Sequence, residues 1–449
     1  MGVGRRHVLM GGLGLGLATA AGPRLAAGRE EADIPQAFST YGIVPGGGEI
    51  DQTATLQLAA DDAAQSGTPL FLPAGIYSTS RLTLKSGTQI VGVPGRSILR
   101  YRDGGAILNV EQAENIRLTG LVLDGEGKPL PEHGSLLAAT EAKHLDISDC
   151  RFIASAADGA VLRKVSGWIK DCEFGDIRKA GLFSEDAAGL QIAHNHVRDC
   201  GDNGIMVWRS EAGEDATIVT ANRIERIAAK SGGTGENGNA INVFRAGSVL
   251  VSGNRIADCA FSAIRSNSGS NCQMIGNSCA RLGEVALYAE FSFEGAVIAN
   301  NLVDRAAIGV SVTNFNEGGR LAVVQGNLIR NLFFRKDVDS RGMGIGVEAD
   351  SVVSGNVIEG APSYGILIGW GHYLRDVSVT DNLIRNSHIG IGVATDPPAG
   401  TALITNNLIT GSKDGAIRAM NGPTAIGPDL ARGSAEAYRN LAVFANVAR

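Results

Sequence analysis

Residues Val251-Ser252-Gly253-Asn254-Arg255-Ile256 contain the pattern that decides the fold, because variants of it recur along most of the chain. Each variant has an apolar residue, a small or polar residue, Asn, any residue and a second apolar residue. The Asn returns at eight further positions, which are Asn195, Asn222, Asn277, Asn301, Asn327, Asn356, Asn382 and Asn407. Cys150 and Cys172 hold the same place in two earlier copies, and consecutive copies are 22–32 residues apart. This period predicts one long stack of similar units instead of several globular domains.

Each repeat contains two strand-like pieces without a helical period between them. The first is the Asn-x-apolar segment, and the second is a Gly or Ala followed by alternating residues, as in Gly204-Ile205-Met206-Val207. Alternation indicates that one face of each piece is buried. Pieces this short bury that face only when they stack, so residues 105–421 are predicted to form parallel coils of an all-β solenoid. The Asn column is expected at a turn, with its side-chain amides hydrogen-bonded along the stack.

The segment before the repeats resembles a known family. Tyr41-Gly42 is followed by Asp51-Gln52-Thr53, "FLPAGIY" at 71–77, "LTLKSGTQIVG" at 82–92 and "GRSIL" at 95–99. Residues 40–100 therefore resemble the entry into the pectate-lyase-like, single-stranded right-handed parallel β-helix, although that family often has a second Asp where this chain has Gln52. The resemblance implies the right-handed fold and is hardly specific for an activity.

Both ends of the predicted solenoid are expected to be covered. Residues 28–104 should form an N-terminal cap and the first coils, with a capping helix that begins near Asp51 or Thr53 and stops at Gly67. Residues 422–449 leave the repeat pattern and are predicted to form a C-terminal cap. A solenoid needs such covers because its terminal coils expose strand edges.

Residues 1–27 are predicted to be a signal peptide. Arg5 and Arg6 precede an apolar, Gly-rich run from Val8 to Ala21, which resembles a bacterial twin-arginine signal with Gly4 where Ser or Thr is usual. The run is short for a membrane span, and nothing later is apolar enough for one. The resemblance implies the twin-arginine export machinery as a partner, a periplasmic or secreted protein, and no membrane span in the mature chain. The chain also resembles exported β-helix repeat proteins with a twin-arginine signal, and this resemblance implies no particular reaction.

The charge and cysteine content of the chain argue against several classes of partner and site. The formal net charge is −6 and the pI about 5.7, so there is no basic footprint for nucleic acid. Six cysteines do not make a disulfide scaffold in 449 residues, and no CxxC or Cys/His spacing predicts a metal site. Cys150 and Cys172 share one column, where buried thiols are favoured over a disulfide. No cofactor motif is present, and a monomer is expected.

Aligning the second strands of successive repeats by their Gly or Ala gives the candidate site. The columns that point outward bring one set of residues to a shared exposed face. This set is Trp208, Asn242, Arg245, Asn267, Arg265, Tyr288, Glu290, Asn314 and Glu348. Long loops flank it at residues 230–239 and 335–341, and a third loop contains Trp370, His372 and Tyr373. An aromatic, amide-rich groove of this kind suits a polysaccharide.

Three functions fit these residues. In a polysaccharide lyase or uronate epimerase, Arg265 would neutralise the substrate carboxylate and Tyr288 would be the base, with Glu290 or Glu236 tuning them or holding a cation. In an inverting glycoside hydrolase, Glu290 and Glu348 would lie on strands roughly 9.6 Å apart. In the third, a non-catalytic β-helix binds a glycan or a surface partner in the same groove. We predict the first, an exported carbohydrate-active protein acting on an acidic glycan, while the solvated face of a strand remains the commoner role for any one of these residues.

Overall fold

The structure, a computed structural model, describes residues 41–46, 48–131, 134–335 and 342–449. The expected signal peptide with Arg5 and Arg6 lies outside these residues. The described residues all belong to one compact unit, residues 37–449. In this part of the chain, no helix is long and apolar enough to cross a membrane.

Three parallel sheets of fifteen strands each run along the unit, and successive strands of the chain enter the sheets in rotation. We call them sheets A, B and C. Sheet B contains Leu70–Leu72, Gln89–Gly92, Glu114–Thr119, Lys143–Ser148, Gly167–Lys170, Gln191–Ala193, Ile218–Thr220, Leu250–Ser252, Cys272–Ile275, Glu294–Ala299, Arg320–Gln325, Ala349–Ser354, Arg375–Thr380, Ala402–Thr405 and Leu441–Phe444. Sheet A contains Gly75–Thr79, Ser97–Tyr101, Leu121–Asp124, Arg151–Ser155, Glu173–Ile177, His196–Cys200, Arg223–Ile227, Arg255–Cys259, Ser278–Leu282, Leu302–Asp304, Leu328–Arg330, Val357–Glu359, Leu383–Arg385, Leu408–Thr410 and Val447–Ala448. Sheet C contains Leu82–Leu84, Leu108–Glu111, Ser135–Thr140, Asp158–Arg163, Ala180–Glu185, Asn203–Glu214, Asn239–Gly247, Ile264–Asn267, Val285–Glu290, Ile308–Val312, Met343–Val347, Tyr364–Ile368, Ile389–Ala394, Ile417–Asn421 and the antiparallel Thr424–Ile426.

This architecture confirms the predicted parallel β-helix and corrects the number of strands in each coil. Two strand pieces were expected, and the structure has three. The repeat motif itself spans two of them, because Asn254 lies in the turn between Leu250–Ser252 and Arg255–Cys259. What looked like one segment in the sequence is therefore a bend between sheets B and A.

The predicted Asn ladder is present. The side-chain amide of Asn254 donates to Val219 O and to Asn277 Oδ1, each at 3.0 Å, and its own Oδ1 accepts from the backbone and side-chain nitrogens of Asn222 at 2.9 and 3.0 Å. The same bonds join each ladder member to the next, from Asn195 to a further member, Asn446. The ladder satisfies polar groups that would otherwise be buried without partners in the turn.

We expect Asn254→Ala to destabilise the fold strongly. The substitution leaves the buried Val219 carbonyl and the buried Asn222 amide without these partners, at about 1–3 kcal/mol for each group. The free energy of unfolding from urea titration measures the loss. Asn421→Ala is the matched control, since Asn421 is exposed in a sheet C strand and its loss should change stability by less than about 0.5 kcal/mol. Equal losses in both variants would contradict a structural role for the ladder.

The N-terminal helix follows the expectation closely. It spans Thr53–Ser66, buries Leu56 and Ala63 on the first coil, and ends at Gly67 in the left-handed conformation. Asp51 Oδ1 accepts from the Thr53 backbone nitrogen at 2.9 Å, which satisfies one free amide at the start of the helix. The helix therefore lies where the prediction placed a cap.

The C-terminal segment differs from the expectation. Residues 422–449 were predicted to leave the repeat pattern, but Leu441–Phe444 and Val447–Ala448 pair in parallel with the preceding coil. Asn446 continues the ladder after a gap of 39 residues, which hid this last copy in the sequence. The segment between Asn421 and Leu441 packs against the preceding sheet C strand. There the Asp429 carboxylate accepts hydrogen bonds from the backbone nitrogens of Ala416 and Ile417 at 2.8 and 3.0 Å.

Candidate functional site

Sheet C places the predicted residues in the expected register. Asn242, Arg265, Tyr288 and Ser311 are direct neighbours on four successive strands, and Asn267 lies opposite Glu290. The alignment of second strands is thus confirmed for these residues. Their exposure is not as predicted, because Asn242 and Glu290 are only 4% and 1% exposed.

The loop at residues 230–239 explains this burial. It folds back over the outer face of sheet C, where the Asn242 side-chain amide donates to Glu236 O at 3.0 Å. The Asp202 carboxylate anchors the start of the loop by accepting from Ser231 N and Oγ at 2.8 and 2.7 Å. Gly235 lies directly against the Arg265 guanidinium, at a positive φ, and a Cβ at this position would overlap it. The insertion therefore covers part of the predicted groove.

Arg265 and Glu290 form a buried ion pair. Arg265 Nε lies 2.5 Å from Glu290 Oε1, and the two side chains are 13% and 2% exposed. Asn267 Nδ2 donates to the same oxygen at 3.0 Å. The three predicted catalytic side chains do converge, since the guanidinium carbon also lies 5.3 Å from the Tyr288 ring centroid. Glu290 nevertheless has its charge compensated and is closed to solvent.

The environment of Tyr288 keeps its phenol in the neutral, protonated form. Burial raises the pKa of its phenol well above the ordinary value, and the nearby Glu290 carboxylate adds to the increase. The group is therefore a neutral phenol near pH 7. The role of base that the sequence suggested for Tyr288 requires this proton to be removed first, and it stays a prediction.

A cavity of about 310 Å³ opens on the outer face of sheet C next to Tyr288. Its walls combine carboxylates, an arginine, amides and aromatic rings. They are formed by Glu284, Val285, Tyr288, Ala307, Ile308, Ser311, Thr313, Asn314, Asn316, Arg335, Met343, Glu348, Trp370 and Tyr373. The size and mixed lining are those of a small-ligand site.

Five of the predicted residues line this cavity and seven do not. The five are Tyr288, Asn314, Glu348, Trp370 and Tyr373. The seven are Trp208, Asn242, Arg245, Arg265, Asn267, Glu290 and His372. Glu290 and Glu348, which sequence reasoning paired as hydrolytic carboxylates, are thus divided between a buried ion pair and the cavity wall.

Glu284 is a cavity residue that sequence reasoning missed. Burial raises the pKa of its carboxyl above the usual 4.5, while the Arg265 and Arg335 guanidinium groups act in the opposite direction. Its Oε2 is buried without a hydrogen-bond partner among the described residues. Glu284 stands two residues before the aligned Ala286, outside the columns that were compared. An acidic residue directly before the strand Val285–Glu290 was the available signal.

The aromatic loop contributes two rings to the cavity. Trp370 and Tyr373 form an isolated antiparallel bridge, with Tyr373 N donating to Trp370 O at 3.1 Å. His372 is exposed and its ring centroid lies 4.1 Å from that of Tyr373. On the neighbouring coil, Glu348 Oε2 accepts from Phe315 N at 2.8 Å, which positions this carboxylate in the wall.

Trp208 belongs to a separate aromatic cluster. Its ring centroid lies 5.4 Å from that of Phe183 and 5.2 Å from that of Phe244. Arg245 stacks on Phe244 at 4.7 Å and donates to Ser210 O at 2.9 Å. The Trp208 indole nitrogen is buried without a partner in the described part of the chain. Trp208 therefore packs on its neighbours and is not placed to stack on a sugar in the cavity.

The described ranges contain no group of three His, Cys, Asp or Glu side chains that could hold a metal ion. All six cysteines are free and buried, including Cys150 and Cys172. This arrangement agrees with the thiol alternative that the sequence favoured for that pair.

Comparison with known proteins gives family matches and distant structural likenesses. A family model described as rhamnogalacturonase A/epimerase, pectate lyase-like, matches residues 38–265, just over half of the chain. A second model, right handed beta helix region, matches residues 210–374. No curated protein matches the chain.

Three solved structures illustrate the likeness. A PL6 alginate lyase in complex with a trisaccharide has a TM-score of 0.54 and 14% identity, covering 90% of this chain and 95% of that one. The N-terminal fragment of bacteriophage phi29 gene product 12 has a TM-score of 0.52 and 19% identity, covering 92% and 71%. The pre-mature form of that phage protein has a TM-score of 0.50 and 16% identity over 85% of this chain, which spans only 55% of its length. At these identities the likeness concerns the fold alone.

Proposed function

Since the chain belongs to the rhamnogalacturonase A/epimerase, pectate lyase-like family of β-helices, we propose that it acts on an acidic polysaccharide as a lyase or uronate epimerase. The observation that carries the proposal is the cavity in which Glu284, Tyr288 and Arg335 meet the rings of Trp370 and Tyr373. Related folds that act on uronate polymers, such as the PL6 alginate lyase, support the substrate class without assigning it.

The chemistry follows from the environment of each group. A carboxylate with a raised pKa is a stronger base than a solvated one, so Glu284 takes the proton from the carbon beside the uronate carboxylate. Arg335 pairs with that carboxylate and stabilises the charge that develops there. In a lyase, the electron pair forms the new C=C bond, the C–O bond breaks, and Tyr288 protonates the leaving oxygen. In an epimerase, a proton returns to the opposite face of the same carbon.

Aromatic rings and amides provide binding. Trp370 and Tyr373 offer apolar faces to sugar rings, and Asn314 and Asn316 offer amides to hydroxyl groups. Arg265 and Glu290 become positioning residues in this assignment, because their ion pair fixes the floor beside Tyr288. We also propose that the protein works outside the cytoplasm, on the strength of Arg5 and Arg6 in the N-terminal sequence.

The test is incubation of the mature protein with a panel of uronate polymers. Absorbance from an unsaturated product identifies a lyase, and proton exchange with solvent at the uronate carbon without chain cleavage identifies an epimerase. A glycan that binds without either change supports the second candidate, a non-catalytic binding protein. That candidate is favoured by the closed Arg265–Glu290 pair, which leaves two of the predicted catalytic groups out of the cavity.

We expect the activity to rise with pH above 4.5. Glu284 must be ionised to act as a base, and its pKa is raised above that usual value by burial. The acidic limb of kcat/KM should therefore lie on the alkaline side of an ordinary glutamate, when measured from about pH 4 to about pH 8. A limb centred below pH 4.5 in the wild-type protein would assign the titration to a different, less buried carboxyl group.

A further inference from the structure

Six apolar side chains form an uninterrupted row on the outer face of sheet A. The row, which we call the apolar stripe, consists of Leu302, Leu328, Val357, Leu383, Leu408 and Val447. Five of the six are 36–49% exposed, and Leu383 is partly buried. Single exposed leucines are ordinary on a protein surface, but a contiguous row of them marks an interaction site.

The same column has a different character in the preceding coils. There the equivalent positions are Arg151, Glu173, His196, Arg223, Arg255 and Ser278, which lead directly into Leu302. The fold accepts charged or polar residues at this place, so coil geometry does not require leucine. Stacking of the coils therefore does not explain why this column is charged or polar before Leu302 and apolar from Leu302 onward.

A second column beside the stripe carries alternating charges. Asp304, Arg330, Glu359 and Arg385 lie on four successive strands, two residues after the apolar ones. Within the chain, Arg330 Nη2 lies 2.9 Å from Asp304 Oδ2 and Arg385 Nη1 lies 3.7 Å from Glu359 Oε1. A two-fold axis at the middle of the stripe, between the coils of Glu359 and Arg385, maps the six apolar residues onto those of another copy and places Glu359 opposite its Arg385.

We propose that the apolar stripe is the contact surface of an antiparallel homodimer. A two-fold contact uses the same patch on both subunits, and this patch is complementary to itself in both charge and apolarity. Alternation makes the complementarity specific, since a parallel arrangement in register would put equal charges opposite each other. The surface lies on sheet A, so the dimer does not depend on the function proposed for the sheet C cavity.

The size of the patch sets the strength of the dimer. Six strands at about 4.8 Å spacing make the stripe about 24 Å long. Its width of one strand gives an interface below the roughly 800 Å² per partner of a standard stable complex. The dimer is therefore concentration-dependent, with monomer dominating in dilute solution.

Charge exchange provides a specific test by sedimentation equilibrium over a range of concentrations. The wild-type protein is expected to show a monomer–dimer equilibrium. Glu359→Arg alone and Arg385→Glu alone are each expected to stay monomeric, because the axis brings equal charges together. An equimolar mixture of the two variants is expected to regain the dimer, since each charge then meets its opposite across the axis.

Arg255→Glu is the matched control, because Arg255 is exposed in the same column outside the stripe. It should dimerise like the wild-type protein, and circular dichroism should show the same fold in every variant. Three results overturn the proposal: a monomeric wild-type protein at all concentrations, single variants that dimerise as well as wild type, or a mixture that remains monomeric.

Discussion

Replacing Glu290 by alanine is expected to lower the free energy of unfolding by about 3–5 kcal/mol. The carboxylate is almost fully buried and neutralises Arg265, which is itself only 13% exposed. Removing it leaves a guanidinium charge in a poorly solvated place, beneath the loop that contains Gly235. Urea titration of the purified protein measures the change.

Two further variants separate the causes. Asp258→Ala removes a carboxylate from an equally short pair, since Arg281 Nε lies 2.6 Å from Asp258 Oδ1, but both side chains are about half exposed. Water then replaces the lost partner, so the expected cost stays below about 1 kcal/mol. The double variant Arg265→Met/Glu290→Leu removes both charges and should recover much of the stability lost in Glu290→Ala. Similar losses for Glu290→Ala and Asp258→Ala would show that burial of the ion pair has no energetic consequence.

Replacing Glu284 by glutamine is expected to lower kcat/KM on the polymer that the wild-type protein converts by about 10²–10⁴-fold. The amide keeps the shape of the side chain but has no basic oxygen for the proton beside the uronate carboxylate. Binding of the polymer should change little, because Trp370, Tyr373 and the amides remain in place. Product formation and equilibrium binding are therefore measured on the same samples.

Glu317→Gln is the control for this change. Glu317 is an exposed carboxylate in the 3-10 helix beside the cavity and does not line it. It should retain wild-type kinetics. If Glu284→Gln were as active as this control, the proton would have to be removed by another group, and Glu348 would be the next carboxylate of the wall to change.

The sequence was sufficient for the fold and for the register because both depend on a periodic signal. Asn254 and its equivalents set the period, and aligning the Gly or Ala of each second strand placed Arg265 beside Tyr288. Spacing carries this information directly, since consecutive coils must stack in step. The last coil was not predicted from the sequence, because 39 residues separate Asn407 from Asn446.

Burial was harder to predict because it depends on insertions that have no period. Asn242 and Glu290 point outward from the coil as expected, yet residues 230–239 cover this face. The alternation in a strand distinguishes side chains that point into the coil from those that point outward, but it does not show whether a loop covers an outward side chain. Glu284 was missed for a related reason, since it acquires its raised pKa from surroundings assembled by several coils.

The Asn ladder also has a consequence for how proteins of this design change. Its side-chain bonds are 3.0 Å between Asn254 and Asn277, which are 23 residues apart, and 2.9 Å between Asn407 and Asn446, which are 39 residues apart. The ladder hydrogen bonds therefore keep the same length whatever the number of residues between two ladder members. Loops on sheet C are free to lengthen, shorten or be exchanged while the coils beneath them keep their register. For the proposed function, we therefore expect substrate preference to depend on these loops, because residues such as Trp370 and Tyr373 form walls of the cavity while the scaffold stays the same.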